Sequence, residues 1–361
     1  MRRILLIAIP LLLLAAATLF WWLTRPLPVL TVTTWAGEYG RAQAAALMRP
    51  YAAARRVDVH IAEWDGDLDD VARAVARHSY HGDVIDFELP KAVEACHRGL
   101  LETIDAAALP PGRDGTPATK DFLPGAIGPC WVGNVVYSQA IAFDPAHFPR
   151  AKPASLADFF DIRRFPGPRA LGRDHAKLNL EMALLADGVA PGDVYRVLDT
   201  DAGVRRALKK LASLRPDLVW WSAPGEPAQL LKSGAVAFTT ILNGSLFDAR
   251  LPGVIWDRQL YEMDAFAVPA GDPQKAMAMD FIRFATGTGP LAAMAAWVPY
   301  GPARRSAQAL VGDNPELHIP MTPWLPTSHF ATAFRVDDDW WRVHAARIAP
   351  LWDAFVNGSM H

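Results

Sequence analysis

A carboxylate inside an otherwise apolar strand demands a partner, because an ionised group there is costly unless it is paired or reaches water. Asp264 stands so, at the head of the segment DAFAV. Its partner is either a nearby arginine in a salt bridge or the cation of a ligand. Glu88 follows the strand-like DVIDF at 83–87, at the edge where ligands enter an α/β sheet, and with Pro90 close behind it also suits the positive start of a helix. Trp35 ends a β-branched run, a place where one tryptophan among 13 is ordinarily core. His78 and His81 are spaced to share a helix face and a metal, yet their helix ends at Gly82, and histidines there usually cap carbonyls or face water. The run Asp337-Asp338-Asp339 likewise reads as the start of a helix and not as a metal site. There is no G-x-S-x-G elbow, no G-x-x-x-x-G-K-[ST] loop and no H-E-x-x-H. The expectation is a protein that is not an enzyme and uses neither cofactor nor metal.

The elements that must position these residues alternate. Residues 30–35 read as a strand, 41–56 as a helix interrupted by Pro50, 57–64 as a strand, 68–78 as a helix and 83–87 as a strand. This β-α-β-α-β order requires crossover connections and hence a largely parallel sheet covered on both faces. Residues 130–143 read as a crossing to a second α/β unit, with strands at 169–172, 218–221 and 236–242 and helices at 177–186, 202–213 and 226–232. An Asn243-Gly244 turn, two separate strands at 254–256 and 264–268, and helices at 273–285, 291–296 and 339–355 complete the chain.

Composition sets the class. With 361 residues, 51% of them hydrophobic and 20% charged, the chain is globular and about two domains long. A formal charge of -2 supplies no basic field for nucleic acid. Met1-Arg-Arg precedes an apolar run at 4–23, which reads as an export signal or, being long enough to span a bilayer, a retained anchor in the inner membrane. The remainder is expected to be periplasmic, where the two cysteines, Cys96 and Cys130, pair more readily than they stay free.

Several segments carry a resemblance, in order along the chain. TVTTWAGEYG at 31–40, DVIDFEL at 83–89, NGSLF at 243–247, DAFAVP at 264–269 ahead of MDFIRF at 279–284, and YGP at 300–302 resemble the extracytoplasmic solute-binding proteins of ABC importers, within them the spermidine/putrescine-binding branch. The resemblance implies an α/β fold of two lobes joined by hinge strands, the periplasmic-binding-protein clamshell, which closes over a ligand without transforming it. It implies a signal peptide or anchor at 1–28, lobe one at 29–140 plus 260–340, lobe two at 141–259 and a C-terminal helix at 341–361. It further implies a monomer that delivers a small organic cation, polyamine-like, to a membrane permease.

An alkyl ammonium needs carboxylates at its charged ends and aromatic faces along its length. The family pattern carries aromatic contacts to Trp35 and Tyr39, an ammonium-pairing carboxylate to Asp264, a further aromatic to Tyr300 and an acidic edge to Glu88. The chain also departs from that pattern. At 172–181 it reads GRDHAKLNLE, where the family has acidic residues near a helix start; Asp174 or Glu181 stands in, but Arg173 and Lys177 make the neighbourhood less anionic. Leu242 and Glu262 replace two aromatic walls, with Trp131, Trp221 and Trp256 as compensating rings and Glu262 retained as a ligand candidate. The alternatives are an amino acid-like ligand and a membrane-tethered sensor built on the same lobes.

Overall fold

The computed structural model describes residues 25–80, 82–215 and 217–359, so the apolar run at 4–23 lies outside the described residues. Among the described residues no helix is long and apolar enough to cross a membrane.

Ten strands form one sheet: β1 (Val29–Thr34), β2 (Asp58–Glu63), β3 (Val84–Glu88), β4 (Val132–Phe143), β5 (Arg169–Gly172), β6 (Leu218–Trp221), β7 (Phe238–Leu242), β8 (Gly253–Ala267), β9 (Gly301–Pro302) and β10 (Phe334–Arg335). Their order is β2-β1-β3-β8-β4-β7-β5-β6, with β9 on β4 and β10 on β8. The outer groups β2-β1-β3 and β7-β5-β6 are parallel, as crossover helices require. Between them β4 and β8 run antiparallel to each other and to their outer neighbours, so the sheet is mixed where a largely parallel one was expected.

These two long strands belong to two hydrophobic cores. Val132 and Val136 of β4 and Met263 and Phe266 of β8 pack with Leu30, Val32 and Phe87 in the first. Ile141 and Phe143 of β4 and Ile255 and Leu260 of β8 pack with Leu171, Leu184 and Phe238 in the second. The result is two lobes sharing two continuous strands.

The second core also takes Trp341, Ile348, Trp352 and Phe355 from the helix Asp338–Val356. That helix begins as its acidic run suggests, with Asp337 Oδ1 accepting from Trp340 N at 3.1 Å.

Three local readings need correction. Residues 254–256 and 264–268 are parts of one strand, β8, because the polar Gln259 between them is buried and satisfied, donating to Pro326 O and His329 O and accepting from Ser138 Oγ. Asn243-Gly244 opens a helix, Asn243–Ala249, in place of a turn. The Asn243 side chain braces that corner, accepting from Ser138 N at 2.9 Å and donating to Pro299 O at 2.5 Å. The helix expected from 41 starts at Gly37, and Pro50 does not interrupt it: a π-helical turn, Ala44–Met48, precedes Arg49–Arg55 and places Pro50 where its missing N–H costs nothing.

Cys96 and Cys130 are joined by a disulfide with their Cα atoms 5.8 Å apart. It ties the helix Leu89–His97, which follows Glu88 directly, to the entry of β4.

Candidate functional site

Strand register decides which side chains share a face. Glu88 lies opposite Asp264 and Asp86 opposite Phe266 in the β3–β8 pair, while Glu262 lies opposite Tyr137 in the β4–β8 pair. Since alternate residues of a strand share a face, Asp86, Glu88, Glu262, Asp264 and Tyr137 project from one side of the sheet, where the two lobes meet.

Asp86 is fully buried and the best satisfied of these. It accepts from Gln43 Nε2 and Asn134 Nδ2, both at 2.7 Å, and from Thr34 Oγ1 at 3.4 Å. Burial pushes its carboxyl up to about 7 despite those donors. Asp264, only 7% exposed, has no hydrogen-bond partner for Oδ1 among the described residues. Burial first, then the charges of Asp86 and Glu88, push its carboxyl well above the ordinary carboxylate range. The Tyr39 hydroxyl lies against both carboxylates, meets hydrogen-bond geometry to neither, and is itself pushed up by burial and by their charge.

Aromatic rings wall this acidic face. Tyr39 and Tyr137 flank Tyr300, with centroids 5.7 and 6.3 Å from it. Trp35 meets Trp64 at 5.7 Å, and Trp64 stands edge-on at 5.0 Å to Phe87, which projects from the other side of the sheet. Two glycines permit close approaches here, Gly40 to the Trp35 backbone and Gly244 to the Tyr300 ring. A Cβ at Gly40 would lie 2.4 Å from Trp35 O, and one at Gly244, across in the second lobe, 2.8 Å from the Tyr300 hydroxyl.

The second lobe answers with basic and donor groups. His175 lies just past β5 and Trp221 ends β6; their rings meet edge to face at 4.8 Å, and His175 Nδ1 and Trp221 Nε1 have no partner among the described residues. Lys177 reaches from the start of the helix Ala176–Ala186 onto Glu262, and onto Asp338 at 3.1 Å. Burial by itself pulls its ammonium down; the two facing carboxylates outweigh that and hold it above the ordinary lysine value.

Of the residues expected in the site, Trp35, Tyr39, Glu88, Asp264 and Tyr300 come together at this edge. Glu262 is there too, but already engaged by Lys177. Glu181 is not brought in. Fully buried, its carboxylate accepts from Leu178 N at 2.9 Å, from Tyr195 Oη at 3.1 Å and from Trp341 Nε1, an arrangement that holds the C-terminal helix on the second lobe. Replacing Glu181 by alanine strands three buried donors. Denaturant unfolding of Glu181→Ala should show a loss of about 3 kcal/mol or more, at roughly 1 kcal/mol or more per donor. Arg173 turns away to Asn357 Oδ1 at 2.9 Å, and Trp256 stacks on His329. Trp131 donates to Gly125 O. Reading the sequence overlooked Asp86, Trp64 and Tyr137. The signal for Asp86 was present, since it too is a carboxylate in an apolar strand; nothing local distinguishes Trp64 or Tyr137 from core rings. Among the described residues no group of His, Cys, Asp and Glu side chains could hold a metal ion, and His81 lies outside them.

An α/β sheet of two lobes with shared central strands and a charged, ring-walled face at their junction defines a receptor that captures a small ligand by closure. Residues 46–319 match the family described as bacterial extracellular solute-binding protein. A gamma-aminobutyric acid-binding protein of Pseudomonas aeruginosa is 35% identical over 330 residues, 90% of either chain. The solved Atu4243–GABA receptor superposes with a TM-score of 0.73 at 27% identity, covering 91% of this chain and 97% of its own. MotA of A. tumefaciens B6, solved with glucopine, superposes with a TM-score of 0.69 at 25% identity, covering 91% and 99%.

The chain belongs to the bacterial extracellular solute-binding protein family. It is the substrate-binding component of an ABC transporter and works outside the cytoplasm, with a small ligand and a membrane permease as the partners expected of that family. The relatives named here are GABA receptors and a glucopine complex, so the narrower expectation of the spermidine/putrescine branch is not upheld.

Proposed function

We propose that the protein captures a small ω-amino acid of the GABA type between its lobes and hands it, unchanged, to the permease. The observation that carries this reading is the opposed chemistry of the two lips. The first lobe offers Asp264, buried, ring-walled and without a cation of its own among the described residues; the second offers His175, Lys177 and Trp221. An ammonium fits the first lip, where charge and ring faces both attract it, and a carboxylate fits the donors of the second. A polyamine would meet a cation there. The GABA-binding relatives support the same choice.

Lobes at 29–140 plus 260–340 and at 141–259, with a C-terminal helix at 341–361, belong to this proposal, as does the absence of enzymatic activity. The two cores support the division, although the C-terminal helix packs with the second lobe.

Thermal unfolding against 4-aminobutanoate, 5-aminopentanoate, glutamate, 1,4-diaminobutane and spermidine tests the reading. The ω-amino acids should raise the midpoint, with about 2.7 kcal/mol of stabilisation at a hundred times the dissociation constant. A shift produced by the diamine and spermidine alone would replace this reading with the polyamine one.

A further inference from the structure

We propose that Lys177 is a tethered counter-cation, occupying the second cation position of the cleft and so restricting the receptor to ligands with one ammonium group. The inference rests on the ω-amino acid reading above and names what enforces it.

Glu262 and Asp264 are two residues apart on β8, so their side chains share a face and their Cα atoms lie roughly 6.8 Å apart along an extended strand. That is about the reach of a four-carbon chain. Two carboxylates so spaced, with Tyr137 opposite Glu262 on the adjacent β4, form a cradle for a short diamine: one ammonium on each. The two positions are nonetheless in different states. Asp264 Oδ1 is without a partner, whereas Glu262 is closed off by the Lys177 ammonium.

The backbone shows what holds Lys177 there. At the start of its helix Lys177 is extended (φ -55°, ψ 141°), and Leu178 is left-handed (φ 80°, ψ -51°), a conformation that a leucine seldom adopts. The unwound step is pinned by Leu178 N donating to the buried Glu181. It carries the Lys177 chain out of the helical track toward β8 and the C-terminal helix, where Asp338 supplies a second carboxylate at 3.1 Å.

Occupancy of the second cation position gives the selectivity. Glu262, Asp338 and Lys177 together hold two carboxylates and one ammonium. A diamine seated on Asp264 brings its second ammonium toward this triad and must either lie beside the Lys177 ammonium or displace it. Lys177 is covalently local and cannot be diluted away. A ligand with a single ammonium, seated on Asp264, brings no second cation to the position that Lys177 fills. Repulsion of the wrong ligand thus does as much as attraction of the right one.

Calorimetric titration of 4-aminobutanoate and 1,4-diaminobutane into wild type, Lys177→Met, Lys177→Arg and Lys177→Met/Asp338→Asn provides the test. The double variant removes one charge of each sign and so keeps the net charge of the pocket, which guards against a single variant that fails to fold. Wild type and Lys177→Arg should discriminate against the diamine. Lys177→Met, or the double variant, should bind it at least tenfold more tightly than wild type does. A folded double variant that still rejects the diamine while binding 4-aminobutanoate overturns the role of Lys177 and leaves the ligand reading standing. Wild type that takes the diamine and ignores 4-aminobutanoate overturns the ligand reading, and the exclusion with it.

Discussion

Asp264→Asn is expected to weaken binding of the amino ligand by about thirtyfold or more and, at the same time, to raise the melting temperature of the ligand-free protein. The first effect follows from removing the charge that pairs with a buried ammonium, a loss of about 2–5 kcal/mol when one partner of a desolvated pair is truncated. At about 1.4 kcal/mol per decade this spans one and a half to more than three orders of magnitude. The second effect has the same origin. Without ligand, Asp264 is a buried carboxylate with an unpartnered oxygen, set beside Asp86, Glu88 and Glu262. A neutral amide of the same shape relieves that repulsion and the cost of desolvating a charge. Stability given up for a pre-built binding position is the usual exchange at functional sites. Paired scanning calorimetry and titration calorimetry of the variant measure both quantities. Unchanged affinity would remove Asp264 from the site; weaker binding with a lower melting temperature would make it a structural residue whose loss disturbs the cleft indirectly.

The second large effect is a dependence of affinity on pH. Asp86 and Asp264 are neighbouring acids, with the Asp86 carboxyl at about 7 and that of Asp264 well above its ordinary value, both chiefly through burial and the latter also through the Asp86 charge. Below neutrality the ligand-free pair therefore holds a proton. An arriving ammonium favours the ionised pair and expels that proton, so affinity should rise up to tenfold per pH unit below 7. Between pH 5 and 7 this amounts to about a hundredfold.

Stability of the ligand-free protein runs in the opposite direction. A carboxyl whose folded value is raised contributes stability below its unfolded value near 3.9, and that contribution is lost as pH rises through the folded value near 7. Titrations at pH 6 in buffers of different ionisation enthalpy count the proton directly. An apparent binding enthalpy independent of buffer would show that no proton leaves, and would detach the acidic pair from ligand capture.

Both expectations place the chemistry on strands that belong to two lobes at once. Glu262 and Asp264 lie on β8, and their neighbour Tyr137 lies on β4, the two strands whose ends enter different cores. A cation held there touches the part of the sheet that must bend when the lobes close, while Tyr300 already reaches the second lobe at Gly244.

The sequence by itself determined the alternating α/β order, the crossing segment at 130–143, the acid start of the final helix and the outlying character of Asp264, since each rests on local periodicity, capping or the cost of an isolated charge. Short motifs met in a familiar order also singled out Trp35, Tyr39, Glu88 and Tyr300 as candidates for one sheet edge. Tertiary structure alone decided the rest. Residues 257–259 look like a strand break until the partners of Gln259, more than 60 residues away, are in place. Glu181 and Glu262 look equivalent as spare acids. Folding gives the first three internal donors and the second a lysine 85 residues distant, because strand register and the unwound start of one helix, not local composition, determine which charges meet.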